Sequence, residues 1–150
     1  MTLDSVEEIL DFAIREEEQA RDFYRDLAAR METKPMREAF EEFAREEEGH
    51  REKLLAVKQG KILRPSATKV QDLKIADYLV EGPVGADFDY QQALVVAMKK
   101  EKAAFRLYSD LAERTSDPAL RLTFRSLAQE EARHKLRFEV EYDEHVLEWN

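Results

Sequence analysis

Glu47-Glu48-Gly49-His50 and Glu131-Ala132-Arg133-His134 are one stretch written twice, and reading them together decides the fold. Each is a Glu-x-x-His, and each follows an earlier glutamate by thirty residues, Glu17 in the first copy and Glu101 in the second. The copies are offset by 84 residues without insertion or deletion. Residues three apart project from one face of a helix, so each motif presents a carboxylate and an imidazole side by side. A single Glu-x-x-His arises by chance in many acidic helices. Two copies, each matched to an upstream glutamate at one distance, specify a site.

Working outward, all six residues fall on apolar stripes of helical period. The stripes are Leu10, Ala13, Glu17, Ala20, Tyr24, Leu27; then Phe40, Phe43, Glu47, His50, Leu54; then Leu94, Ala97, Glu101, Ala104, Phe105, Tyr108, Leu111; then Phe124, Leu127, Glu131, His134, Phe138. Glu101 is the only carboxylate between Tyr90 and Ser109. A lone acid on an apolar stripe needs a partner, because an unpaired buried carboxylate is costly and protonates instead. The repeat extends to Leu10/Leu94, Tyr24/Tyr108, Arg37/Arg121, Phe40/Phe124 and Ala44/Ala128. Matching polarity alone would not place the same Tyr, Phe and His at a fixed offset. Two halves related by a pseudo-two-fold axis, with the site on the axis, account for it.

Four helices follow. The first starts at the capping-box pattern Ser5-Val6-Glu7-Glu8 and runs to about Met31. The second follows Thr33-Lys34-Pro35 and stops before Gly60. The third runs from near Asp89 to about Arg114, and the fourth from Asp117-Pro118 to at least Phe138. A crossover over 61–88 holds a short helix, Val70 to Val80. The expectation is all-α: a ferritin-like four-helix bundle in one domain, with a hairpin over 5–60, the crossover, and a hairpin over 89–145. Counted at about 1.5 Å per residue, Glu17 lies about 24 Å from its turn and Glu47–His50 about 21–26 Å, so the ligands are level.

Carboxylate oxygens and imidazole nitrogens suit iron or manganese, and zinc is compatible with them; no thiolate is present for softer metals. Four carboxylates match two divalent ions. Glu47 and Glu131, near the axis, would bridge the ions; Glu17 and Glu101 would be terminal; His50 and His134 would bind one each. Tyr24 and Tyr108 read as core aromatics, as phenols orienting a ligand carboxylate across the bundle, or as redox residues. His145 lies about 16 Å beyond His134 along a helix and reads as a surface residue.

Composition sets limits. The chain has 150 residues, 38% charged and 43% hydrophobic, with four Gly and four Pro, a mix suited to long amphipathic helices. A formal charge of −9 argues against a nucleic-acid partner. The absence of cysteine excludes disulfides and thiol-ligated clusters and fits a reducing cytosol. Met1-Thr2-Leu3-Asp4-Ser5 has neither the basic nor the apolar region of a signal peptide, and no run is apolar enough to span a membrane. The expected location is cytoplasmic. The segment after residue 138 reads as a helical extension or a packed tail, with Val146, Leu147 and Trp149 offering a dimer contact.

Glu17-Glu-Gln-Ala20-Arg-Asp-Phe-Tyr24, Glu101-Lys-Ala-Ala104-Phe-Arg-Leu-Tyr108 and Leu127-Ala-Gln-Glu-Glu131-Ala-Arg-His134 resemble the ferritin-like superfamily, specifically its rubrerythrin-like branch. The resemblance covers nearly the whole chain. It implies two iron ions reacting with peroxide or dioxygen under oxidative stress, in a homodimer or larger homo-oligomer. Full-length rubrerythrins append a cysteine-ligated rubredoxin domain; here the electron donor would be a separate molecule, such as a rubredoxin-like protein. Rubrerythrins also carry an extra iron-binding glutamate one turn after the third-helix ligand, where this chain has Ala104, so the expected site is symmetric and closer to that of bacterioferritin. The alternatives are a ferroxidase or iron-storage protein and, last, a metal-free structural bundle, which would leave clustered core acids without counter-charge.

Overall fold

The computed structural model describes residues 2–60, 69–74 and 89–149. Four helices carry the fold: α1 Val6–Arg30, α2 Lys34–Lys58, α3 Tyr90–Arg114 and α4 Pro118–Trp149. Short turns join α1 to α2 and α3 to α4, and each pair packs along its length as an antiparallel hairpin. The helix boundaries follow local chemistry. Asp89 caps α3 with a full capping box, its side chain accepting from Gln92 N while the Gln92 side chain accepts from Asp89 N. Asp117 Oδ1 accepts from Ala119 N and Leu120 N at 2.9 and 3.1 Å at the head of α4. Gly60, in the left-handed region at φ 77, follows α2 as a terminating glycine. The capping box expected at Ser5 involves side chains outside the described set.

The crossover corrects one expectation. Lys69–Lys74 is a strand, β2, paired antiparallel with β1 (Thr2–Ser5) in the register Thr2↔Lys74, Leu3↔Leu73 and Ser5↔Lys69. The short helix expected over Val70–Val80 is therefore not formed by Val70–Lys74, and residues 75–80 lie outside the described residues. A short helix is marginal without packing support, whereas pairing with β1 satisfies the backbone and ties the crossover to the head of α1.

The core is split in two. One apolar cluster holds Ile9, Leu10, Ala13, Leu54, Leu111, Leu120, Phe124 and Leu127 among others. A second holds Phe23, Leu27, Phe40, Phe43, Leu94, Ala97 and Phe138 among others. The α3–α4 turn is nearest the first and the α1–α2 turn nearest the second, so the hairpins run head to tail about the expected two-fold. Between the clusters lies a layer of buried polar residues. Phe105 departs from its expected place: it sits at the edge of the α3 stripe and is 39% exposed. Its repeat counterpart is Arg21, which faces outward to pair with Glu48.

Candidate metal centre

The polar layer consists of Glu17, Glu47, His50, Glu101, Glu131 and His134, none more than 7% exposed. Glu17 comes from α1, Glu47 and His50 from α2, Glu101 from α3, Glu131 and His134 from α4. They form two overlapping groups. One oxygen or nitrogen from each of Glu17, Glu47, His50 and Glu131 lies within 4.8 Å of the others, and Glu47, Glu101, Glu131 and His134 form the second such group. Glu47 and Glu131 belong to both. Each hairpin therefore supplies three donors to one group and a fourth to its neighbour's. Ligand bonds of about 2.0–2.2 Å put the farthest donors on one ion roughly 4 Å apart, and each group lies close to that span.

Unpartnered atoms test the fit directly. Seven buried side-chain atoms lack a hydrogen-bond partner among the described residues: Glu17 Oε2, Glu47 Oε1, His50 Nδ1, Glu101 Oε2, Glu131 Oε1 and His134 Nδ1, one from each of the six residues, and Glu130 Oε2 behind them. His50 Nδ1 lies 2.7 Å from Glu131 Oε1, and His134 Nδ1 3.0 Å from Glu47 Oε1. These pairs are close but off the line of a hydrogen bond. Buried polar groups are ordinarily satisfied; donors converging on a common point without satisfying one another are what a cation would complete. The oxygen and nitrogen set fits iron or manganese.

The charges agree. Burial, then the facing carboxylates of Glu131, Glu17 and Glu101, raises Glu47 well above the usual carboxylate range. Burial, then Glu101 and Glu17, does the same for Glu131. Burial would also raise Glu17, but the adjoining Glu47 carboxyl, the His50 imidazole and the Tyr108 hydroxyl bring it below the usual value. Burial would lower His50, yet Glu131 and Glu17 raise it to about 11. Without a cation the layer thus holds protons, and a metal must displace them.

A second ring of groups positions the donors, and its ties cross between hairpins. Tyr24 on α1 donates to Glu101 Oε1 on α3. Tyr108 on α3 donates to Glu17 Oε1 on α1 at 2.5 Å. Both phenols are fully buried. Behind the imidazoles, His50 Nε2 lies 2.7 Å from Glu130 Oε2 and His134 Nε2 lies 2.5 Å from Glu46 Oε2. The rings lie nearly parallel, 5.9 Å apart. Glu46 and Glu130 escaped the sequence reading. Their signal was present, since they too are related by the 84-residue offset, but α2 has many surface glutamates. His145 lies beyond the described side chains.

A cavity of about 40 Å³ reaches the layer between α1 and α3, bounded by Glu17, Glu47, Glu101, Glu131, Ala20 and Ala104. Glu16, Gln19 and Lys100 form its outer rim. One water needs about 10–15 Å³, so the space admits a few atoms.

A family model described as rubrerythrin matches residues 8–142. The fold is similar to that of a candidate ferritin-like diiron-carboxylate protein from Thermotoga maritima, at a TM-score of 0.80 and 20% identity, covering 97% of this chain and 98% of that one. A hypothetical protein from Pyrococcus furiosus aligns at a TM-score of 0.72 and 26% identity, over 97% of this chain and 92% of that one. No curated protein matches.

Proposed function

The chain belongs to the rubrerythrin family, and on that premise we propose that Glu17, Glu47, His50, Glu101, Glu131 and His134 hold two iron ions at which peroxide or dioxygen is reduced, with electrons from a separate donor. The observation that carries this reading is the set of six unpartnered buried donor atoms, one per residue, in two groups sharing Glu47 and Glu131. Bound iron would supply the affinity for oxygen and the first electrons for its reduction.

The protein's own part follows from the geometry. Glu47 and Glu131 span the two groups, while Glu17 with His50 and Glu101 with His134 define the ends. Tyr108 and Tyr24 fix the outer carboxylates through their hydroxyls, and Glu130 and Glu46 stand behind the imidazoles, where they fix ring orientation and keep Nδ1 free toward the layer. The apolar clusters above and below exclude water. The small cavity beside Ala20 and Ala104 fits dioxygen or hydrogen peroxide.

Anaerobic Fe(II) titration should bind two ions per chain, and Glu131→Ala should abolish that stoichiometry. Stopped-flow mixing of the loaded protein with hydrogen peroxide, and separately with dioxygen, then identifies the oxidant. Faster oxidation by dioxygen with continued iron uptake beyond two ions would place the protein among iron-handling ferroxidases instead.

A further inference from the structure

The two halves agree at the ligands but not in the aromatic packing around them. Tyr24 stands against Phe23, Phe40, Phe43 and Phe138, with ring centres 5.5, 6.2, 5.8 and 5.7 Å away. Phe40 in turn meets Tyr90 edge-on at 6.1 Å. Tyr90 is half-buried and donates to Glu141 at 2.8 Å. Tyr108 stacks on Phe124 at 6.2 Å, but the sequence counterparts of Phe23, Phe43 and Phe138 are Leu107, Leu127 and Leu54, and that of Tyr90 is Val6. A line of rings leads outward from Glu101 to a second tyrosine, and the repeat does not reproduce it.

We propose, on the reading of the site as a redox-active iron centre, that Tyr24, Phe40 and Tyr90 form a one-electron path between that centre and the surface, used by one half of the bundle only. Reducing dioxygen to water takes four electrons and two ferrous ions supply two, so the remainder must come from outside the layer. In the first step Tyr24 gives one electron to the oxidised centre; its O–H bond breaks and the proton passes along the existing hydrogen bond to Glu101. In the second, Tyr90 gives one electron across Phe40 to the Tyr24 phenoxyl radical, which recovers its proton from Glu101, while the Tyr90 proton passes to Glu141. A small one-electron reductant in solution, such as ascorbate, then reduces Tyr90, whose proton returns from Glu141, and a second passage along the same path delivers the fourth electron. No ring-to-ring step exceeds 6.2 Å between centres. Each phenol already donates to a carboxylate, Tyr24 to Glu101 and Tyr90 to Glu141, so a proton can leave along that bond as the electron leaves the ring.

The test mixes ferrous-loaded protein with dioxygen, follows iron oxidation by absorbance and freeze-quenches samples for electron paramagnetic resonance. The expected result is a phenoxyl signal that Tyr24→Phe abolishes and Tyr108→Phe retains. Re-reduction of the signal by ascorbate should be several-fold slower in Tyr90→Phe and unchanged in Tyr142→Phe, since Tyr142 bonds Gln91 nearby but outside the line of rings. Each substitution keeps the ring and removes one hydroxyl. A full signal in Tyr24→Phe, or a wild-type re-reduction rate in Tyr90→Phe, overturns the path. Iron oxidation without a phenoxyl signal in the wild type rejects the path alone; no iron oxidation in any variant rejects the metal-centre reading beneath it.

Discussion

Glu46 and Glu130 show how one side chain serves the site from behind. Each approaches the Nε2 of an imidazole carried by the opposite hairpin. Carboxylates in this position fix a ligating histidine and raise its basicity, and removing one typically costs about 10–100-fold in metal affinity. Glu46→Gln and Glu130→Gln should each weaken metal binding by that order and leave two ions per chain at saturation, as competitive metal titration would show. Glu41→Gln, on an exposed part of the same helix, should change nothing. At this scale the sequence picked out the six residues that meet in the buried layer, because the repeat isolates them and Glu101 has no acidic neighbour on its stretch of α3. It did not disclose Glu46 and Glu130, because the contact that distinguishes them from other glutamates runs between hairpins, and no spacing within one helix encodes it. Phe105 was misplaced for a related reason: a residue at the edge of a stripe turns inward or outward according to the neighbouring helix.

Among the elements, α2 carries a local weakness. Gly49 lies in mid-helix and is exposed, and a Cβ built there meets nothing within 4 Å. A glycine in a helix interior costs about 0.5–1 kcal/mol relative to alanine. Gly49→Ala should therefore raise stability by about that amount, read as an increased denaturation midpoint at unchanged slope. Asp117→Ala should act in the opposite direction at the head of α4, losing about 0.5–2 kcal/mol with the cap. A midpoint unaffected by Asp117→Ala would mean that Pro118 alone starts the helix. The helix ends were legible since Pro35, Asp89, Asp117 and Gly60 act within a turn of themselves. The β1–β2 ribbon was not, because its two strands are far apart in sequence and neither carries a regular alternation.

The whole molecule is built around a layer that must be neutralised. In the metal-free protein, burial and mutual repulsion make Glu47 and Glu131 hold protons more tightly than in the unfolded chain. Their contribution to stability is present at low pH and is lost as pH rises through their folded pKa. His50, raised from 6.5 to about 11, has the same sign across that interval. Glu17, lowered, loses its contribution only as pH falls through the acidic range. The metal-free melting temperature should therefore decline from pH 6.5 toward about pH 9, and a rise over that window would contradict the description of the layer. Ferrous ion at about 100 times its Kd should add roughly 2.7 kcal/mol and offset the decline, because binding requires the deprotonated ligands. Equal melting curves with and without metal would remove the case for a core site.

The exchange of contacts between hairpins has a further consequence. Each hairpin carries two carboxylate donors, one imidazole, one phenol that reaches the other's terminal glutamate and one glutamate that backs the other's histidine. Two identical copies of a single hairpin, associating head to tail, would assemble the same complement. The inner machinery thus needs only half the polypeptide's information. Joining the copies in one chain leaves each free to diverge, and the divergence recorded here lies in the rings beside Tyr24 and not in the donors.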